Sequence, residues 1–147
     1  MGASVRAYWP GIEEVLTEEQ LESEPGFFND SKAWGNWMAE REFEPRAIEA
    51  IRKLKAEAIL SFITDGVKEE QVEWVTPREL REAAQKLGAA IRAGLPGTKI
   101  ILETYERAAS WVESVEEDFL RDLEDVEAIT LWAEEVGAVK MTLEVNW

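Results

Sequence analysis

Carboxylates are the side chains of this chain with the clearest capacity for chemistry. Asp118, Asp122 and Asp125 recur at spacings of four and three residues, which would bring them together on one flank of a helix. Three such oxygen ligands could bind Mg²⁺ or Ca²⁺. Between positions 114 and 135, however, acids far outnumber the single base, Arg121, and no calcium-loop pattern is present. We therefore expect a solvated acidic face there, without a metal or a cofactor.

Carboxylates could also serve as the acid and base of a hydrolase. A pair of them suffices to hydrolyse a glycoside, but among 31 acidic residues nothing in the sequence selects one pair. The turn from Gly94 to Lys99 contains Thr and Lys but lacks the spacing of a phosphate-binding loop. No catalytic residue is assigned, and a carboxylate-dependent hydrolase, Mg²⁺-assisted or not, stays an alternative.

Two residue types are missing altogether. The 147 residues include no His and no Cys, which excludes disulfides, thiolate nucleophiles and imidazole catalysis. The net charge is −15. Such a field repels nucleic-acid phosphates and anionic lipids and favours a basic protein partner, although acidity can also serve solubility alone. Apolar runs are too short to cross a membrane and the N-terminal residues do not resemble a secretion signal, so a cytoplasmic location is expected.

The most unusual composition lies between residues 27 and 38. Asp30 or Ser31 can cap a helix that carries Trp34 and Trp37 on one face. Large aromatic side chains usually fill a core, but they also anchor interfaces. Under the second interpretation, this segment supplies the partner-binding residues, which are Phe27, Phe28, Asp30, Lys32, Trp34 and Trp37.

The ends of the chain predict two strands. Apolar and polar residues alternate in Ser4–Trp9, with Arg6 and Tyr8 on the polar side, and alternate again in Val139–Val145. We expect the two strands to pair. A long helix should precede the second strand, begin with a capping box at Ser114 and Glu117, stop at Gly137 and pack across the sheet.

Helices occupy most of the remaining chain. The sequence Thr76-Pro77-Arg78-Glu79 predicts an N-cap, a proline at the first helical position and a closed capping box. Thr17 and Gln20 predict a second capping box. Apolar spacing predicts further helices from Pro45 to Thr64, from the N-cap Thr76 to a stop at Gly94, and from Ile100 to Val112. A strand from Ile59 to Ile63 is the alternative to the end of the first of these helices. The pattern indicates one α+β domain over residues 1–147, mostly helical, with a small sheet that includes both terminal strands.

Three blocks of the chain resemble the YfbM-like family, small bacterial proteins of unknown function. The first is Asp30-Ser31-Lys32-Ala33-Trp34, and the second is the strand-to-helix entry Trp74–Leu80. The third is the long C-terminal helix with its final strand. The resemblance implies a single α+β domain with helices packed around a small sheet. Gly35-Asn36 stands where that family often has a histidine, so no imidazole-dependent role carries over.

These observations favour a non-enzymatic interaction protein that binds a basic partner, and an immunity protein or antitoxin would fit this profile. The evidence is the net charge, the seven Trp residues and the lack of a catalytic constellation. A DNA mimic that occupies a nucleic-acid-binding groove is a further alternative. No direct binding to nucleic acid or membrane is expected, and the sequence indicates no oligomeric state.

Overall fold

The computed structural model describes residues 4–25, 32–41 and 44–146. Within these ranges, seven α-helices and two short 3₁₀ helices surround a three-stranded sheet, which confirms the predicted α+β class. The strands are β1 (Ser4–Tyr8), β2 (Ile63–Thr64) and β3 (Thr142–Asn146). The helices are α1 (Ile12–Val15), α2 (Glu18–Glu22), α3 (Lys32–Glu40), α4 (Pro45–Lys53), α5 (Pro77–Ala93), α6 (Thr98–Ala108) and α7 (Val115–Glu135). The 3₁₀ helices are Glu57–Leu60 and Glu69–Gln71.

The sheet joins both ends of the described chain. β3 lies in the middle, antiparallel to β1 and parallel to β2. The predicted pairing of the two terminal strands is therefore confirmed. The last strand begins at Thr142 and not at Val139 as expected. Val139 is 83% exposed, and Met141 forms only an isolated bridge to Val75 before β3 starts.

The long helix α7 packs chiefly along α5. It reaches β1 as well, and immediately after that strand the ring of Trp9 lies 5.8 Å from the ring of Trp132. The predicted packing across the sheet is thus a minor part of its contacts. At the rim, Arg81 of α5 binds Glu134 of α7, with Nη2 and Oε2 2.9 Å apart. Gly137 follows α7 with a φ of 92°, which confirms the predicted left-handed stop.

The prediction that the Pro45 helix continues to Thr64 is wrong. α4 ends at Lys53, and Lys55 adopts a left-handed φ of 60°. The Ala56 N–H donates to the carbonyl of Ile51 and closes the helix end. The chain then turns through the first 3₁₀ helix so that Ile63 and Thr64 can pair with β3. The apolar run that suggested a longer helix serves this strand instead.

Helix α6 is shifted from its predicted range, Ile100 to Val112. α6 starts at Thr98, immediately after Gly97 with its left-handed φ of 93°, and ends at Ala108 instead of Val112. A side chain at position 97 would also meet the Cβ of Ala50 at 3.0 Å. Beyond the helix, Trp111 is 51% exposed.

Of the three predicted capping boxes, two form and one does not. The Thr76 hydroxyl accepts from the Glu79 N–H at 3.0 Å and the Glu79 carboxylate accepts from the Thr76 N–H at 3.1 Å, so this box is confirmed. The box at Thr17 is confirmed in the same way. The box predicted at Ser114 is wrong, since α7 begins there without any side-chain cap. Three acids in its first turn, Glu116, Glu117 and Asp118, complement the helix dipole instead.

Thr76→Ala is therefore expected to lower the free energy of unfolding by about 1 kcal/mol, because one backbone donor of α5 loses its acceptor. Ser114→Ala removes no cap hydrogen bond and should stay within about 0.5 kcal/mol of the wild type. Urea denaturation of both variants measures the difference. Equal losses at the two positions would contradict the assignment of the caps.

Candidate functional site

The predicted partner-binding segment lies partly outside the described residues. Phe27, Phe28 and Asp30 fall there, and Lys32 opens α3 without a described side chain. Trp34 and Trp37 are fully buried, which confirms the core interpretation for these two residues. The Trp37 Nε1 donates to the Thr104 hydroxyl at 2.9 Å. Neither ring is available to a partner, because both pack inward against α6 and α7.

The acidic flank of α7 was expected to be solvated, and this prediction is wrong for one of its three aspartates. Asp122 is buried and accepts a hydrogen bond from the Tyr105 hydroxyl at 2.6 Å. Burial, and then the neighbouring carboxylate, raise the pKa of Tyr105 far above its ordinary value. Asp118 instead binds Arg121 at the surface. Across the described ranges, no group of three or more acids is placed to hold a metal ion.

A different set of carboxylates surrounds a hollow on the solvent-facing side of β1. The hollow has a volume of about 660 Å³ and contains Tyr8 in its wall. Its four acids are Glu13, Glu14, Glu69 and Glu144. We call this site the Tyr8 hollow, defined by Tyr8 and these four glutamates. It is the candidate functional site because it combines concavity with a concentration of one charge.

Four separate parts of the chain build the Tyr8 hollow. Strand pairing sets Arg6 of β1 opposite Glu144 of β3, so Glu144 lies beside the solvent-facing residues of β1. Gly11, with a left-handed φ of 80°, turns the chain into α1, whose first turn carries Glu13 and Glu14. The second 3₁₀ helix contributes Glu69.

Among the residues that the structure describes, Arg6 is the one base that lines the hollow, and it is already paired with an acid. The Arg6 Nη2 lies 3.0 Å from the Glu24 Oε2, and the other oxygen of Glu24 accepts from the Ala7 N–H at 3.1 Å. The Glu24 side chain is only 7% exposed, whereas the Arg6 side chain is 49% exposed, so the ion pair lies at the surface. The carboxylates of the Tyr8 hollow consequently face solvent without a matching positive charge from Arg6.

An aromatic pair stands at the edge of the hollow. The Tyr8 ring centroid lies 6.2 Å from that of Trp74, and the Tyr8 hydroxyl donates to the Glu69 carboxylate. This hydrogen bond, reinforced by burial and by nearby carboxylates, raises the pKa of Tyr8 to about 12. The phenol therefore stays protonated near neutral pH and orients Glu69. Carboxylates beside aromatic faces are suited to hold an ammonium or guanidinium group.

The two tyrosines of the chain give a test by pH. Both pKa values are raised in the folded state above the unfolded value of about 10. Their contribution to stability is fully present below pH ~10 and is lost as the pH rises further, because the unfolded chain releases its protons first. Spectrophotometric titration should show no tyrosinate in the folded protein at pH ~10 and Tyr8 ionising with a pKa of about 12. Two ordinary titrations in the folded protein would contradict these environments.

Sequence reasoning did not single out the four glutamates. The predicted pairing of the terminal strands was the available signal, since it implies that Glu144 lies across from the polar side of the first strand. Glu69 carried no such signal, because its position depends on a 3₁₀ helix that no pattern indicated.

Comparisons with protein families, with curated proteins and with solved structures find no match to the chain. The resemblance to the YfbM-like family therefore stays a prediction. Among the helices in the described part of the chain, none has the combination of length and apolar character needed to span a membrane.

Proposed function

We propose that this protein is a non-enzymatic interaction module that binds a basic protein segment in the Tyr8 hollow. The observation that carries the proposal is the convergence of four carboxylates on one concave surface whose arginine, Arg6, is engaged by Glu24. The net charge of −15 adds a long-range field that draws a basic partner towards the surface. Inhibition of a basic enzyme, as by an immunity protein or antitoxin, is a role that fits this chemistry.

The expected affinity for the partner is limited because the ion pairs would form at the protein surface. An exposed ion pair contributes about 0.2–1 kcal/mol, so one lysine on one carboxylate would bind too weakly to matter. Several carboxylates engaged by neighbouring cations, together with steering by the net charge, are needed for a specific complex. A segment with clustered Lys or Arg satisfies this requirement, whereas an isolated cation does not.

The protonated phenol of Tyr8 does not supply a general base at neutral pH. A general base works best with a pKa near the operating pH. Hydrogen bonding to Glu69 holds the pKa of the phenol at about 12, so Tyr8 is a poor proton acceptor at neutral pH. Its useful properties here are a fixed aromatic surface and an oriented carboxylate beside it.

Calorimetric titration with a blocked oligolysine peptide tests the proposal. The hollow variant replaces with Gln the four glutamates of the site: Glu13, Glu14, Glu69 and Glu144. The control variant replaces with Gln four exposed glutamates on elements that do not line the hollow: Glu57, Glu82, Glu103 and Glu106. The wild type should bind the peptide, and more weakly as salt rises. The hollow variant should lose at least about tenfold in affinity and the control no more than about threefold.

The matched net charge of the two variants makes the comparison decisive. Equal losses in both would mean that the peptide senses only the overall charge, and the site assignment would fall. Absence of binding to the wild type at low salt would remove the proposed function itself.

A further inference from the structure

Lys140 places an ammonium group over the aromatic ring at the edge of the Tyr8 hollow. Its Nζ lies 5.0 Å from the centroid of the Trp74 ring. The bridge between Val75 and Met141 fixes this geometry, because it holds the backbones next to Trp74 and Lys140 side by side. Lys140 is exposed, whereas Trp74 is half-buried and contacts Tyr8.

We propose that Lys140 is an internal competitor for the Trp74 ring and that a cationic side chain of the bound partner displaces it. This inference rests on the proposed function, since it concerns how the same site receives its basic partner. The arrangement is autoinhibitory: the chain's own cation covers the aromatic face until a partner supplies another. The partner side chain is an alkylammonium or guanidinium group, as the ring face requires.

The contact between Lys140 and the Trp74 ring is weak enough for a partner to displace Lys140. Among the described residues, Lys140 forms no ion pair, so its position over the ring depends on cation–π attraction and on packing of its alkyl chain. An exposed contact of this type is weak enough to be exchanged for an equivalent one. The glutamates of the hollow also attract the incoming cation, because Lys140 forms no ion pair with them.

A double-mutant cycle with the blocked oligolysine peptide measures the competition. Lys140→Met keeps the length of the side chain and removes its charge, and Lys99→Met makes the same change in net charge on α6. Lys140→Met should bind the peptide about two- to fivefold more tightly than Lys99→Met, which corresponds to the release of one exposed cation–π contact. In a Trp74→Leu background the advantage of Lys140→Met should shrink, because there is no ring left to uncover.

A direct readout uses the wild-type protein and does not depend on the folding of Trp74→Leu. The ε-methylene protons of Lys140 should show an upfield ring-current shift in the free protein and lose it when the peptide saturates the site. A retained shift, or an equal gain from Lys140→Met with and without the Trp74 ring, would overturn the competition. Those results would leave the proposed function standing if the wild type binds the peptide. Failure of the wild type to bind would instead remove the proposed function.

Discussion

Replacing Phe119 with Ala is expected to lower the free energy of unfolding by about 3–5 kcal/mol. Phe119 is fully buried on α7, and its ring is the shared neighbour of three other aromatic side chains. The centroids of Trp34, Trp37 and Tyr105 lie 5.5, 5.1 and 4.9 Å from it. The substitution loses the burial of the ring and leaves a cavity that rigid neighbours fill poorly.

The relative orientation of the aromatic rings stabilises the cluster beyond the burial of their surface. Trp37 and Tyr105 meet Phe119 at interplanar angles of 86° and 71°, the edge-to-face arrangement that aromatic pairs favour. Because a domain is stable by only about 5–15 kcal/mol, the loss should remove a large share of the total. Urea denaturation followed by tryptophan fluorescence measures it.

Leu131→Ala is the matched control on the same helix. Leu131 is 55% exposed, so its truncation should change the free energy of unfolding by no more than about 0.5 kcal/mol. Similar losses from the two variants would mean that the aromatic cluster does not form the core of this protein.

Tyr105→Phe should cost about 1–3 kcal/mol, the second largest effect that we predict. The substitution keeps the ring and removes only the hydroxyl that donates to the buried Asp122. A buried carboxylate that loses a donor is poorly compensated, since water does not take its place. Thermal or urea denaturation at neutral pH, where the carboxylate is charged in the unfolded chain, gives the difference.

Tyr8→Phe removes the same chemical group from an exposed tyrosine–carboxylate pair. The Glu69 carboxylate can turn to water, so the loss should stay within about 0.5 kcal/mol. A cost at Tyr8 as large as that at Tyr105 would show that burial is not what makes the Tyr105–Asp122 contact important.

Local signals in the sequence predicted the parts of the fold that depend on local chemistry. The box at Thr76 forms because threonine, proline and glutamate at these spacings satisfy the helix end by themselves. The same spacing failed at Ser114, where Glu117 offered the right residue type but the serine side chain does not cap the helix. The size of Trp34 and Trp37 and their spacing on one helix face favoured burial but left an exposed aromatic surface open, and only the packed structure decides for burial.

Apart from the pairing of the two terminal strands, features that join distant residues were not predictable in this way. The short run at Ile63 and Thr64 has no pattern that separates a helix from a strand, and only pairing with β3 decides between them. Asp122 looked like its acidic neighbours, because its partner, Tyr105, lies on another helix. The Tyr8 hollow depends on β1, α1, β3 and a 3₁₀ helix together, so no single stretch could indicate it.

Two-dimensional NMR of the tryptophan indole N–H groups, recorded while the oligolysine peptide is added, locates the bound peptide most directly. Trp74 stands beside Tyr8 at the hollow, whereas the exposed Trp111 follows α6 and serves as an internal reference. We expect the Trp74 signal to shift progressively to saturation and the Trp111 signal to stay in place. A shift at Trp111 with an unchanged Trp74 would contradict binding at the Tyr8 hollow.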